Sequence, residues 1–385
     1  MTESTTRPAA AVQPGAAGTG RLEAAHDRYR SQRSFGALDG LRCICIVAVV
    51  WHHARPLTDL PTLATRGFLG VDLFFVISGF LIVTLLLRER DQTGGISLQK
   101  FYIRRTLRIF PVYYAIVLAL GGYYAFVANG SEVGDAFLRD FWIYLTYTGN
   151  FFFLGWGVVW SLAAEEQFYL VWPQVERRLS DWFVPIMVVA LAVNQLFNFP
   201  ATRDVIASAL NAPRLGELSM VQATFTPILL GVCVAHLLHD RASFVRLGPL
   251  VCGRLAPLFW LLALGVVVAI PNDEIAGIHR LSIHVLMAGL VASCVAQERH
   301  VVMPLLQLAP VARIGVISYG IYLYHIHSIV VAEKLLQRVG VHFDLAPFLL
   351  GGFIAIVVSE LSFRLFEMPF LKLKARFATV PKGHV

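Results

Sequence analysis

The stretch that decides the fold runs from residue 37 to residue 55 and reads ALDGLRCICIVAVVWHHAR. It is apolar enough for a membrane-spanning helix, yet it carries Arg42 and His53, which are eleven residues apart. At about 100° per residue these two side chains return to the same helix face, about 16 Å apart along the axis. An ionisable residue inside a membrane span is costly and by default marks a functional interior.

The whole chain has the composition of a membrane protein. Of its 385 residues, 57% are hydrophobic and 15% are charged, with a mean hydropathy of +0.65. Soluble proteins carry about 25% charged residues. The apolar segments predict an all-α fold, a polytopic transmembrane helix bundle of about ten helices. Three glycines interrupt the segment from 138 to 178, which we expect to form one broken or re-entrant span.

The basic residues predict the orientation and the domain limits. With ten crossings and a cytoplasmic N-terminus, 24 of the 32 Lys and Arg residues fall on the cytoplasmic side, as the positive-inside rule requires. Both termini are therefore predicted to be cytoplasmic. We expect a disordered tail over 1–34, a transmembrane domain over 35–370 and a basic tail over 371–385. The net charge of +7 is spread between spans, so we expect no nucleic-acid partner.

His53 is the candidate for the reacting group. A neutral imidazole in a desolvated cavity can act as a general base on an alcohol or can accept an acyl group. The alternative is a histidine that is simply satisfied by a neighbouring carbonyl. The five cysteines lack the spacing of zinc ligands or of a disulfide framework, so no metal site is expected.

A basic cluster follows in FYIRRTLRIFPVYY, at residues 101–114. Arg104, Arg105 and Arg108 are spaced to donate from one side of a helix, and guanidinium groups suit phosphate. Ordinary cytoplasmic anchoring of a span is the alternative. The sequence thus favours an anion, such as a phosphorylated donor, at this end of the bundle.

Polar residues in the second span could assist the reacting histidine or the binding of a phosphorylated donor. Asp72, in GVDLFF, could orient a histidine, bind a hydroxyl group or cap its helix. Ser78 and Gly79 predict close helix packing and room for a ligand.

Two later segments carry polar residues in apolar surroundings. Glu165, in WSLAAEEQFY with Trp160 and Ser161, could contact a sugar or a histidine. Tyr322 and His325, in ISYGIYLYHIH, lie on one helix face. That polar stripe fits either substrate contact or a packing seam between helices.

These motifs, in this order and with FEMP around Glu367, resemble acyltransferase family 3 over residues 35 to 370. The family comprises integral-membrane O-acyltransferases of bacteria and their relatives. The resemblance implies transfer of an acyl group, usually acetyl, from cytoplasmic acyl-CoA to a hydroxyl of a carbohydrate or lipid-linked glycan. It also implies a location in the bacterial inner (cytoplasmic) membrane, with acyl-CoA, a glycan acceptor and the bilayer as partners and no metal.

The resemblance implies that His53 is catalytic, as a general base or a transient acyl carrier, and that the arginines serve the acyl-CoA side. The sites that we predict are catalytic His53, Asp72 and Glu165; donor-binding Arg42, Arg104, Arg105, Arg108, Ser78 and Gly79; and substrate-binding Trp160, Ser161, Tyr322 and His325.

Two alternatives remain open. The acceptor could be a small hydroxylated molecule such as a macrolide. The buried charges could also line the path of a secondary transporter or flippase. Transporters commonly show an internal repeat with paired broken helices, whereas this sequence shows one broken span.

Overall fold

The computed structural model describes residues 14–54, 61–152, 154–215, 225–272 and 274–377, with side chains from residue 20 onward. Within these ranges the chain is helical and contains no β-strand. The helices of eight or more residues are α1 (Pro14–Ser31), α2 (Gly36–Ala54), α3 (Leu69–Thr93), α4 (Leu98–Phe126), α5 (Glu132–Arg139), α6 (Val159–Arg178), α7 (Phe183–Asn198), α8 (Pro200–Ala209), α9 (Thr226–His239), α10 (Arg241–Val251), α11 (Ala256–Ala269), α12 (Gly277–Ala296), α13 (Ala309–Val316), α14 (Ser318–Arg338), α15 (Ala346–Ser362) and α16 (Met368–Ala375).

Shorter turns connect these helices. A π-helical turn over Phe363–Glu367 joins α15 to α16, so that Ala346–Ala375 forms one long apolar helix. The remaining short helices are Thr62–Thr65, Phe141–Leu145, Gly149–Phe151, Ser180–Trp182 and Met303–Leu306.

Six helices among the described residues are long and apolar enough to cross a membrane, and the number rises to eight if each of two bent pairs is one span. The bent pairs are α9 with α10, at 110°, and α13 with α14, at 79°. The predicted count of about ten is thus larger than length and composition support. α11 has only 14 residues, about 21 Å against a hydrocarbon core of about 30 Å. α6 carries several charged side chains, Glu165, Glu166, Glu176, Arg177 and Arg178.

The segment from 138 to 178 is interrupted as predicted, but it is not among the candidate membrane spans, and the described residues contain two bent candidate spans elsewhere in place of the one predicted here. Only short helices occupy its first half, and the continuous helix α6 begins at Val159. Tyr147 adopts a φ of 53°, a left-handed conformation that a helix interior does not contain. The helical half of this segment presents the polar side chains of WSLAAEEQFY to the bundle.

The N-terminal tail is not disordered where the structure describes it. α1 covers Pro14–Ser31, and Ala25 and Tyr29 are buried. The Tyr29 ring lies 5.8 Å from that of Phe244 in α10, and Arg88 donates hydrogen bonds to the carbonyls of Tyr29 and Gln32. Apolar residues spaced to one helix face therefore fix a segment that its overall polarity had suggested was unstructured. The first thirteen residues of the predicted tail lie outside the described residues.

Glycines bring the central helices into backbone contact. A Cβ at Gly79 of α3 would lie 2.0 Å from the carbonyl oxygen of Ile228, and one at Gly231 of α9 would lie 2.2 Å from that of Val76. Only glycine permits this approach from both sides. The prediction of close packing at Gly79 is confirmed, and α3 with α9 forms the centre of the bundle.

Candidate active site

An imidazole pair, His53 and His325, lies between α2 and α14. The ring centroids are 4.9 Å apart, and Nε2 of His325 lies 3.3 Å from Nδ1 of His53. His53 Nδ1 is also 2.9 Å from the carbonyl oxygen of Val49, and His325 Nδ1 is 2.6 Å from that of Tyr322. The sequence placed His325 on the substrate side; the structure makes it the neighbour of His53.

These contacts define the tautomers of the two neutral rings. A carbonyl oxygen can only accept a hydrogen bond, so Nδ1 carries the proton in both imidazoles. His325 Nε2 is then a second and more distant acceptor, at 3.3 Å, of the single Nδ1–H group of His53, which the Val49 carbonyl accepts at 2.9 Å. The proton-accepting atom of His53 is consequently Nε2, on the opposite side of its ring. The alternative expectation, a histidine satisfied by a carbonyl, holds for Nδ1 of His53.

Ser161 and Tyr322 support the pair from α6 and α14. The Tyr322 hydroxyl donates to the carbonyl of Val158 at 2.8 Å and lies 2.6 Å from Oγ of Ser161. Its ring centroid is 5.5 Å from that of His325. Trp160 instead packs edge-on against Phe75, with centroids 6.0 Å apart. The two hydroxyls therefore form a hydrogen-bonded pair of their own between α6 and α14, and Tyr322 contacts His325 through its ring and its backbone carbonyl.

A second polar group, the Arg105 cluster, consists of Arg105, Glu165, Glu166, Tyr169 and Ser78. The Arg105 guanidinium lies 3.4 Å from each of the two carboxylates and sits over the Tyr169 ring at 3.6 Å from its centroid. The hydroxyls of Ser78 and Tyr169 both donate to Glu165. Glu165 is thus a partner of an arginine and not of His53.

The other predicted donor-binding arginines differ in their partners. Arg42 donates to Asp39 at 2.7 Å. Arg104 contacts Glu89 at 3.1 Å and the carbonyl of Phe377 at 2.8 Å.

Arg108 has a different environment. Within the described ranges it forms no ion pair, and its one hydrogen bond, to the carbonyl of Val316, is long at 3.4 Å. Arg108 is therefore the predicted arginine whose charge is least neutralised by a neighbouring carboxylate.

Asp72 lies apart from this group. Its carboxylate accepts from Nε2 of His284 at 3.0 Å and lies 3.7 Å from the Arg280 guanidinium, with all three residues in the bundle interior. Asp72 therefore does orient a histidine, but that histidine is His284. Sequence reasoning missed Arg280 and His284, although their spacing of four residues in an apolar helix was a usable signal. Among the residues that the structure covers, no three His, Cys, Asp or Glu side chains are grouped to hold a metal ion.

Apolar spans around buried charges and a hydrogen-bonded imidazole pair define a multi-pass membrane protein with a polar interior. The chain belongs to the Acyltransferase domain family, whose sequence profile matches residues 35–363. This match confirms the family suggested by the motifs, and it begins at the residue predicted for the start of the membrane domain.

Relatives in two bacteria agree with this assignment. A Staphylococcus aureus protein provisionally named an O-acetyltransferase is 28% identical over 384 residues, covering 90% of this chain and 58% of that protein. The peptidoglycan O-acetyltransferase OatA of Listeria monocytogenes is 25% identical over 369 residues, covering 90% of this chain and 57% of its own length. The chain therefore spans a little over half the length of these relatives. No solved structure matches it significantly.

Proposed function

We propose that this chain is a membrane O-acyltransferase that moves an acyl group, most simply acetyl, from acyl-CoA at the cytoplasmic side to a hydroxyl of a cell-envelope glycan. The observation that carries the proposal is the imidazole pair, with His53 Nε2 as the proton-accepting atom. The names of the relatives favour a peptidoglycan-like acceptor over a macrolide or another small alcohol. The proposal places the chain in a bacterial cytoplasmic membrane, with both termini in the cytoplasm.

His53 would act as the general base. Its Nε2 takes the proton of the acceptor hydroxyl while the hydroxyl oxygen attacks the thioester carbonyl. The C–S bond then breaks, and the departing CoA thiolate receives the proton from Nε2. An acyl thioester is already activated, so proximity and a base suffice for this reaction and no metal is invoked.

His325 would serve as a positioning residue for this step. Its Nε2 accepts from Nδ1–H of His53 at 3.3 Å, which keeps the His53 proton on Nδ1 and also stabilises the imidazolium that forms during transfer. The Tyr322 ring packs against His325, and its hydroxyl is held by Ser161 of α6. A transient acyl group on Nε2 of His53 is the second form of the same mechanism.

Arg108 is the arginine best suited to the donor phosphates. It combines a guanidinium fork with the absence of an ion pair in the part of the chain described, whereas Arg42, Arg104 and Arg105 each have a carboxylate partner. The roles proposed for Ser78 and Gly79 are structural, in the Arg105 cluster and in the contact of α3 with α9. Asp72 is assigned no step in this reaction.

The test is acyl transfer by purified, reconstituted protein with radiolabelled acetyl-CoA and a glycan acceptor. Removing a general base typically costs about 10² to 10⁴-fold in rate, so we expect His53→Ala to lose that much while still binding CoA. His52→Ala is the matched control, because its ring packs against Phe68 and edge-on against His53, so the variant disturbs the packing around His53 without removing the base. Near-normal transfer by a correctly inserted His53→Ala protein would refute the assignment.

A labelled acyl group trapped on wild-type protein without acceptor, and absent from His53→Ala, would favour the carrier form over the base. A secondary transporter would instead move label across the membrane without forming an ester.

A further inference from the structure

A cleft of about 600 Å³ opens where α3 ends, α4 begins and α6 ends. These three helix ends lie on the side of the bundle that the basic residues predict to be cytoplasmic. The cleft is about ten residues of α4 below Arg108, or roughly 15 Å along that helix, so it is separate from the candidate active site. Its wall includes Arg90, Gly94, Gly95, Ser97, Glu176 and Arg177.

One side of the cleft is positive. Arg90 and Arg177 come from the last turns of α3 and α6, and neither forms an ion pair with any residue that the structure describes. Ser97 caps α4 by accepting from the backbone N–H of Lys100, at 3.4 Å, which leaves the N–H groups of the first two helical residues without an intrahelical partner. Two arginines beside a helix N-terminus favour an anion, and phosphate above all.

The double glycine keeps the backbone of this wall accessible. A Cβ at either Gly94 or Gly95 would meet nothing within 4 Å, so packing does not explain glycine at position 95. Gly94 ends α3 in a left-handed conformation with a φ of 75°, which favours glycine. Bare backbone at a cleft wall lets a ligand approach closely.

The opposite side of the cleft offers an acceptor. Glu176 is 2% exposed, and its Oε1 accepts from Trp172 Nε1 and His236 Nε2, both at 2.9 Å. Its Oε2 is buried and, among the described residues, has no hydrogen-bond partner. A buried carboxylate oxygen without a donor is costly, so a ligand that brings a donor to Oε2 would be stabilised.

We propose that this cleft binds the headgroup of an anionic phospholipid whose phosphate carries a hydroxylated substituent, as in phosphatidylglycerol. The phosphate contacts Arg90, Arg177 and the start of α4, and a glycerol hydroxyl donates to Glu176 Oε2. The helix ends around the cleft are where lipid headgroups lie, and basic pockets between spans on the cytoplasmic side suit anionic lipids. This proposal concerns lipid binding and does not depend on the acyl-transfer reaction.

The experiment measures binding of short-chain phosphatidylglycerol and phosphatidylcholine to the purified full chain by calorimetry. Phosphatidylcholine carries the phosphate but has no hydrogen-bond donor on its headgroup. We expect phosphatidylglycerol to bind more tightly, and Arg177→Ala to weaken it about tenfold or more, because a charged hydrogen bond is lost. Arg178→Ala is the matched control, since the neighbouring residue does not line the cleft.

Glu176→Gln tests the acceptor side. It keeps a side chain for Trp172 to donate to, and we expect it to reduce the preference for phosphatidylglycerol over phosphatidylcholine. Equal binding of the two lipids, or equal losses in Arg177→Ala and Arg178→Ala, would overturn the proposal. If CoA or inorganic phosphate binds to the chain and phosphatidylglycerol does not, the ligand is a soluble phosphate compound. That result would also overturn the proposal.

Discussion

The imidazole pair and the Arg105 cluster are both polar groups inside the same bundle, but they are held by different interactions. His53 and His325 are joined ring to ring, and the contacts of Nδ1 direct the basic nitrogen of His53 to the other side of its ring. In the Arg105 cluster two carboxylates and an aromatic ring surround one guanidinium, and two hydroxyls donate to one of those carboxylates, Glu165. The ion cluster joins α4 to α6, whereas the imidazole pair joins two groups that can exchange protons near neutral pH.

The largest effect should come from opening the Arg105 cluster. Arg105→Ala leaves Glu165 and Glu166 buried without their cation, and breaking a buried pair typically costs about 3 to 5 kcal/mol. We therefore expect a lower free energy of unfolding, measured by denaturant titration in detergent micelles. A triple variant that also carries Glu165→Gln and Glu166→Gln removes the uncompensated charges and should recover most of the loss. Unchanged stability of Arg105→Ala would contradict a structural role and return this arginine to donor binding.

A smaller effect should separate Arg108 from Arg104. If Arg108 holds a donor phosphate, Arg108→Ala removes a charged contact worth about 1.5 to 3 kcal/mol, or one to two decades in CoA affinity. Arg104→Ala should leave CoA affinity nearly unchanged, because Arg104 is bound to Glu89 and to the carbonyl of Phe377. Calorimetric titration of CoA into each variant measures both. Equal losses of affinity would show that the ion-paired arginines serve the donor as well.

The smallest effect should come from the partner of His53. A glutamine at position 325 can present its carbonyl oxygen where Nε2 lies, whereas asparagine is too short to do so. We expect His325→Asn to lower kcat about tenfold with little change in KM, since one hydrogen bond to the base is lost, and His325→Gln to recover most of the rate. If the two variants behave alike, His325 acts by packing and not by orienting His53.

Properties that depend on a single helix could be predicted from the sequence alone. The period of the α-helix predicted a common face for Arg42 and His53, and α2 is uninterrupted over both. The glycines in the segment from 138 to 178 correctly predicted its break. Motif order identified the family without any knowledge of contacts between helices.

Properties that depend on contacts between several helices could not be predicted from the sequence. The pairing of His53 with His325 and of Asp72 with His284 joins residues more than 200 positions apart. The arginine cluster looked uniform in sequence because its members share one helix, and only the carboxylates of neighbouring helices distinguish Arg105 from Arg108. The helix over the N-terminal tail was missed because its stability comes from packing against α10 and not from its own composition.

The π-helical turn at Phe363–Glu367 has a consequence for comparing relatives. A π-turn holds one residue more than an α-turn, so the residues on either side of it are out of phase by about 100°. Deleting one residue there would restore a regular helix and rotate Glu367 relative to the face that α15 presents to α14. A relative with a one-residue gap at this point would therefore keep the FEMP letters but direct its glutamate away from the position where Ser362 donates to it here. Alignments across this segment should be judged by helical phase as well as by matching letters.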